Sequence, residues 1–106
     1  MEQFEPLTKF FEAIEDDVRI NTSHISVYIA LLQLYNANGG INPFGITRVT
    51  VMAMAKINAR STYNKCMNNL NEFGFIKYSP STNSAIPSRI LLLGLPKEYL
   101  LADDNQ

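Results

Sequence analysis

At Gly74 the apolar period of this chain changes from 3.6 residues to 2. Upstream of it, apolar side chains recur at three- and four-residue steps, as on the buried stripes of helices. Downstream, Phe75-Ile-Lys-Tyr-Ser79 and Arg89-Ile-Leu-Leu-Leu93 read as two strands. The turn-rich segment Pro80–Ser88 between them makes the pair a hairpin with a long tip. With 106 residues there is room for one domain, and 46% apolar with 18% charged residues excludes wholesale disorder. The expected fold class is therefore mainly α, closed by a small β-hairpin.

The helices are delimited by their start and stop residues. Phe4, Leu7, Phe10, Phe11, Ile14 and Val18 form one stripe of an amphipathic helix ending near Asp16 or Asp17. Asn21-Thr22-Ser23 offers N-caps for a second helix to about Asn36, apolar nearly all round and so the expected centre of the fold. Asn38-Gly39-Gly40 stops it, and Phe44-Gly45-Ile46 is long enough for a very short strand. Thr47 caps a short helix, Arg48 to Ala55, with Val51, Met52 and Ala55 inward. After the tight connection Lys56-Ile57-Asn58, a further helix runs from Ala59 to Phe73. Its inward face is Ala59, Tyr63, Cys66, Met67, Leu70 and Phe73, and Gly74 ends it. The tail after Gly94 and Pro96 is expected to add one turn at Glu98–Leu101.

Net charge is −1, but its distribution matters more than its sum. Residues 1–17 hold six acids against Lys9, a net of −5. Residues 18–97 hold Arg19, Arg48, Lys56, Arg60, Lys65, Lys77, Arg89 and Lys97 against Glu72 alone, a net of +7. Glu98, Asp103 and Asp104 return the total to −1. A basic body between acidic ends can present one positive face while the molecule stays neutral.

Several chemistries find no support. The acidic start has no apolar run of signal-peptide type, and the longest apolar runs fall far short of the ~20 residues of a membrane span. A soluble, cytoplasmic protein with no membrane partner is expected. The lone Cys66 lies on an inward helix face, as a structural thiol does. His24 has no neighbouring Cys or second His, so a metal role is not expected. Glu15-Asp16-Asp17 reads as solvated surface at a helix end, and Asn38-Gly39-Gly40 lacks the Gly-Lys-Ser/Thr ending of a phosphate loop. Met52, Met54 and Met67 read as core filler. No enzyme, cofactor or small-molecule ligand is indicated.

The outward face of the 59–73 helix carries Arg60, Ser61, Asn64, Lys65 and Asn68. A helix enters the major groove when one face is polar and hydrogen-bonding and the other is anchored in a core. Arg pairs bidentately with guanine, Asn with adenine, and Ser or Thr with phosphate. Arg48 and Lys56 flank this helix as candidate phosphate contacts, and Lys77 and Arg89 stand on the two hairpin strands.

In its order of helix, short strand, short helix, tight turn, longer helix, Gly and hairpin, the stretch 22–93 resembles a winged helix-turn-helix domain. The most telling part is Ile57-Asn-Ala-Arg-Ser-Thr-Tyr-Asn-Lys-Cys-Met-Asn-Asn-Leu-Asn-Glu-Phe-Gly-Phe-Ile76. Here Arg60-Ser61-Thr62-Tyr63 stands where the family opens its recognition helix, Met67 and Leu70 where it anchors it, and Gly74-Phe75-Ile76 where it leads into the wing. Ser23-His-Ile-Ser-Val-Tyr28, with Lys56-Ile-Asn-Ala-Arg-Ser-Thr-Tyr-Asn-Lys65, is also similar to small regulators of bacterial mobile elements. The uncharged hairpin tip departs from relatives that carry Arg or Lys there. The resemblance implies one winged-helix domain over 1–106, with an N-terminal helix and connection (1–21), a core (22–93) and a tail (94–106). It implies double-stranded DNA as partner, with Arg48, Lys56, Arg60, Ser61, Thr62, Asn64, Lys65, Asn68, Lys77 and Arg89 as contacts, and transcription regulation as function. Replication initiation, replisome organisation and a protein–protein adaptor role are the alternatives. Phe4, Phe10 and Phe11 make the N-terminal helix the expected homodimer contact.

Overall fold

The computed structural model describes residues 5–83 and 85–93. They form α1 (Glu5–Ile14), α2 (Thr22–Ala37), β1 (Phe44–Ile46), α3 (Arg48–Ala55), α4 (Arg60–Glu72), β2 (Ile76–Ser79) and β3 (Ser88–Leu92). The result is a mainly helical domain with a small three-stranded antiparallel sheet in the order β1-β3-β2.

Asn21 begins the central helix. Its side-chain oxygen accepts the N–H groups of Ser23 (2.9 Å) and His24 (3.2 Å), and its own N–H donates to His24 Nδ1 at 3.0 Å. Both halves of a capping box are present, with His24 where Glu or Gln is usual. Such a cap contributes about 1 kcal/mol. Along α2, Val27, Tyr28, Ala30, Leu31, Leu32 and Tyr35 are buried. On one side the Phe10 ring of α1 stacks on Tyr28 at 3.9 Å and meets Phe75 edge-on at 5.4 Å. Aromatic pairs of this kind add about 0.5–1.5 kcal/mol beyond their burial. Burial also pushes the Tyr28 hydroxyl up to about 12.

Two expectations are corrected here. The stripe of α1 stops at Ile14, four residues before Val18, which is 97% exposed. Asp17 does not continue the helix; it turns to hydrogen-bond Arg19. Nor is α2 buried all round: Ile29 is 40% and Met54 of α3 37% exposed. The two line an open apolar groove of about 540 Å³ with Ile25, Ser26 and Ala30.

Thr47 caps α3 as expected, its side chain accepting the Thr50 N–H at 3.3 Å. The helix ends at Lys56, whose φ of 62° is left-handed, a conformation strained for a side chain with a Cβ. Ser26 Oγ on α2 donates to the Ala55 carbonyl, joining α2 to the end of α3.

β3 is central, and its register sorts the sheet into two faces. Phe44 pairs with Ile90, Ile90 with Tyr78, and Ile76 with Leu92, and these side chains face the core. Gly45, Arg89 and Ser79, together with Lys77 and Leu91, occupy the other face. Where the ladder would continue beyond β1, Pro43 has no N–H to give. The Asn42 side chain takes over, donating to the Leu92 carbonyl and accepting its N–H, both at 3.0 Å. The expected turn at 98–101 and Phe4 lie outside the described residues.

Candidate nucleic-acid interface

The polar face of α4 is built on a buried one. Tyr63, Cys66, Met67 and Leu70 recur at three- and four-residue steps and are all buried. Burial pushes the Cys66 thiol up, against the pull of Lys65, so it is held protonated. The Tyr63 hydroxyl is likewise raised, first by burial and then by the neighbouring Tyr78. At about 100° per residue, these positions direct Arg60, Ser61, Asn64, Lys65 and Asn68 outward, and all five are exposed. Thr62 is half-buried at the edge of this face. Ala59, expected inward, is exposed because it is the N-cap residue rather than part of the helix.

Four asparagines lie along α4, and the structure divides them into two pairs. The Asn69 amide lies 3.0 Å from His24 Nε2. The Asn71 oxygen accepts the Tyr78 N–H at 2.8 Å and so ties α4 to β2. Asn64 and Asn68 make no hydrogen bond among the described residues. Nothing in the local sequence distinguishes the pairs, because the partners come from distant segments.

Electrostatically, α4 has no acid in its first turn, and its single carboxylate, Glu72, is its last residue. Its first two turns are therefore the cationic end. His24, buried below this helix at 2% exposure, is pushed down mainly by desolvation and next by Lys65, against the pull of Asp17. The ring is neutral at neutral pH. Because Nδ1 accepts the Asn21 N–H, the proton of the neutral ring sits on Nε2, the atom that the Asn69 amide group covers at 3.0 Å.

The remaining candidate residues fall into separate groups. Lys56 is exposed at the α3–α4 turn, directly before the connection into α4. Arg48, the other flanking candidate, is half-buried, its Nη1 lying 3.7 Å from the Met52 sulfur. It lines a cleft of about 310 Å³ between the start of α3 and the hairpin tip, with the exposed Val49 and Ile86. Lys77 and Arg89 share the outer face of the sheet, Arg89 between the small residues Gly45 and Ser79. No hydrogen bond joins them to the polar face of α4. Of the expected dimer contact, Phe10 is buried within its own chain and Phe11 remains 43% exposed.

Among the described residues no group of His, Cys, Asp or Glu could hold a metal ion, and no helix is long and apolar enough to cross a membrane. No protein-family model, curated protein or solved structure matches the chain at a significant level.

Proposed function

We propose that this chain is a winged helix that binds double-stranded DNA sequence-specifically and regulates transcription in a bacterium. In this reading α3 and α4 form the helix-turn-helix, α4 enters the major groove, and the β2–β3 hairpin is the wing. The observation that carries it is the outward face of α4: Arg60, Ser61, Asn64, Lys65 and Asn68 stand exposed over a fully buried opposite face, free of carboxylates until Glu72. The strand order β1-β3-β2 and the sequence of elements from α2 onward support the same reading. Lys56 and the outer-face pair Lys77 and Arg89 would then hold phosphates, which position a protein without reading sequence.

The test is binding of the full chain to duplex DNA, followed by fluorescence anisotropy over a range of salt. If about three to five phosphates are neutralised, log K against log salt should fall with a slope of about −3 to −4.5, at roughly −0.9 per phosphate. Lys65→Ala and Arg60→Ala should each weaken binding without altering the fold. A base-edge contact costs about 1–3 kcal/mol and relaxes specificity at one position, whereas a phosphate contact weakens all sequences alike. A slope near zero overturns the reading.

A protein–protein adaptor is the second reading, and one observation favours it. The groove between α2 and α3, lined by Ile25, Ile29, Ala30 and Met54, leaves apolar surface open on a small domain. An adaptor would bind its partner with little salt dependence and would lose affinity on Ile29→Ser rather than on Lys65→Ala.

A further inference from the structure

We infer that α4 reads adenine: Asn64 and Asn68 each pair with the major-groove edge of one adenine, and the two adenines lie within two base-pair steps of each other. The inference rests on the DNA-binding reading above and names what the same face recognises.

It starts from the division of the α4 asparagines. Asn69 and Asn71 are consumed by His24 and by the Tyr78 backbone, which accounts for their presence in a helix. Asn64 and Asn68 are exposed, mid-helix and without a hydrogen-bond partner among the described residues. Asparagine is a poor residue for such positions, because its side chain competes with the helical backbone for hydrogen bonds. The fold therefore gains nothing from these two amides, while a ligand can. A primary amide offers a donor and an acceptor in one plane, which complements adenine N7 and N6 bidentately.

Geometry limits how the bases are spaced. The two residues are four apart, so they share one side of the helix and are separated by about 6 Å along its axis. Base pairs rise about 3.4 Å, so two amides in a helix aligned with the groove span no more than two steps. Lys65, on the adjoining ridge, is a point charge suited to the phosphate flanking them. Glu72 would meet the phosphates if the far end of α4 entered, so the contacting segment is 60–68. An acidic protein surface would engage Arg60, Lys65 and the amide N–H groups, but its carboxylates would leave the amide oxygens without a donor.

The experiment uses the full chain and duplexes selected from a random pool. The selected site should contain two adenines within two steps. Replacing either one by 7-deazaadenine, which lacks the N7 acceptor, should weaken binding about five- to a hundredfold. With Asn64→Ala the penalty at one of these adenines should vanish, and with Asn68→Ala that at the other, while circular dichroism and thermal unfolding of both variants stay native. Salt-dependent, site-specific binding in which neither variant alters any 7-deaza penalty overturns the inference and leaves the DNA reading standing. Failure to bind any duplex overturns both.

Discussion

The guanidinium of Arg19 lies 4.0 Å from the centre of the Phe73 ring, over its face. The same group donates from Nε and Nη2 to the two oxygens of Asp17, at 2.8 and 2.7 Å. A connecting segment between α1 and α2 is thereby fastened to the C-terminal end of α4. The Arg19 pair holds Asp17 at about 2, far below its ordinary value. A carboxylate depressed in the folded state stabilises it above the unfolded value and loses that contribution as pH falls from near 4 towards 2. Arg19→Ala should lower the thermal midpoint and flatten the acid dependence in that window. Arg19→Lys should restore little, since an ammonium cannot make the bidentate pair. Thermal unfolding of the three proteins between pH 2 and 5 checks this.

A second pH window belongs to His24. Its folded value lies below the ordinary 6.5, so the unfolded chain takes up the proton first and stability falls as pH drops below about 6.5. Protonation also places a donor on Nδ1 against the Asn21 N–H, which breaks half of the cap of α2. Urea unfolding between pH 7 and 5 should show this loss. His24→Gln should reduce the pH dependence while costing about 1–3 kcal/mol at pH 7, through a buried group left imperfectly paired.

Lys56 lets backbone strain and charge be separated. Its φ of 62° favours glycine, so Lys56→Gly should raise stability by about 0.5–1 kcal/mol. Under the DNA-binding reading the same change removes a cation next to α4 and should reduce the salt slope by about 1. Lys56→Gln, which keeps the strain but not the charge, should lower the slope alone. Denaturation midpoints and anisotropy titrations measure the two effects independently.

The acidic N-terminal region offers a kinetic test. Glu12, Glu15 and Asp16 are exposed at the end of α1, whereas Asp17 is committed to Arg19. Under the DNA-binding reading, changing the first three to Gln, Gln and Asn, with Asp17 left intact, should speed association with DNA severalfold at low salt and leave site preference unchanged. The acceleration should vanish at high salt, where screening shortens the range of these charges to a few ångströms. Stopped-flow association at two salt concentrations is the measurement.

Local signals were legible to within a residue or two: the Asn21 and Thr47 caps, the Gly74 stop with its φ of +89°, and both hairpin strands. These depend on neighbours only a few positions away. The inward positions Tyr63, Cys66, Met67 and Leu70 of α4 were legible for the same reason, whereas Ala59 and Phe73, also expected inward, are its cap residues, the first exposed and the second half-buried under Arg19. What stayed hidden was set by particular side-chain contacts, near and far, that apolar periodicity does not encode. In the sequence His24 has no neighbouring Cys or second His to give it a role; in the fold Asn69, 45 positions on, covers its ring. Val18 keeps the helical spacing of α1 by coincidence, since Asp17 has already left the helix for Arg19. Arg48 was expected to flank α4 as a phosphate contact, but it is half-buried, with its Nη1 3.7 Å from the Met52 sulfur.

The Asn42 clamp on Leu92 governs where the chain can change length. By grasping both backbone groups of Leu92, Asn42 fixes the distance from that point to Phe44, and so decides which β1 side chains meet the core. A residue gained or lost between 42 and 44 would turn Phe44 and Ile46 to solvent and send Gly45 inward. One inserted beside the exposed Gly39 would leave the clamp and the register as they are. Insertions and deletions in this connection should therefore be tolerated only on the N-terminal side of Asn42, where loop grafting or tag insertion can be directed without unseating the sheet.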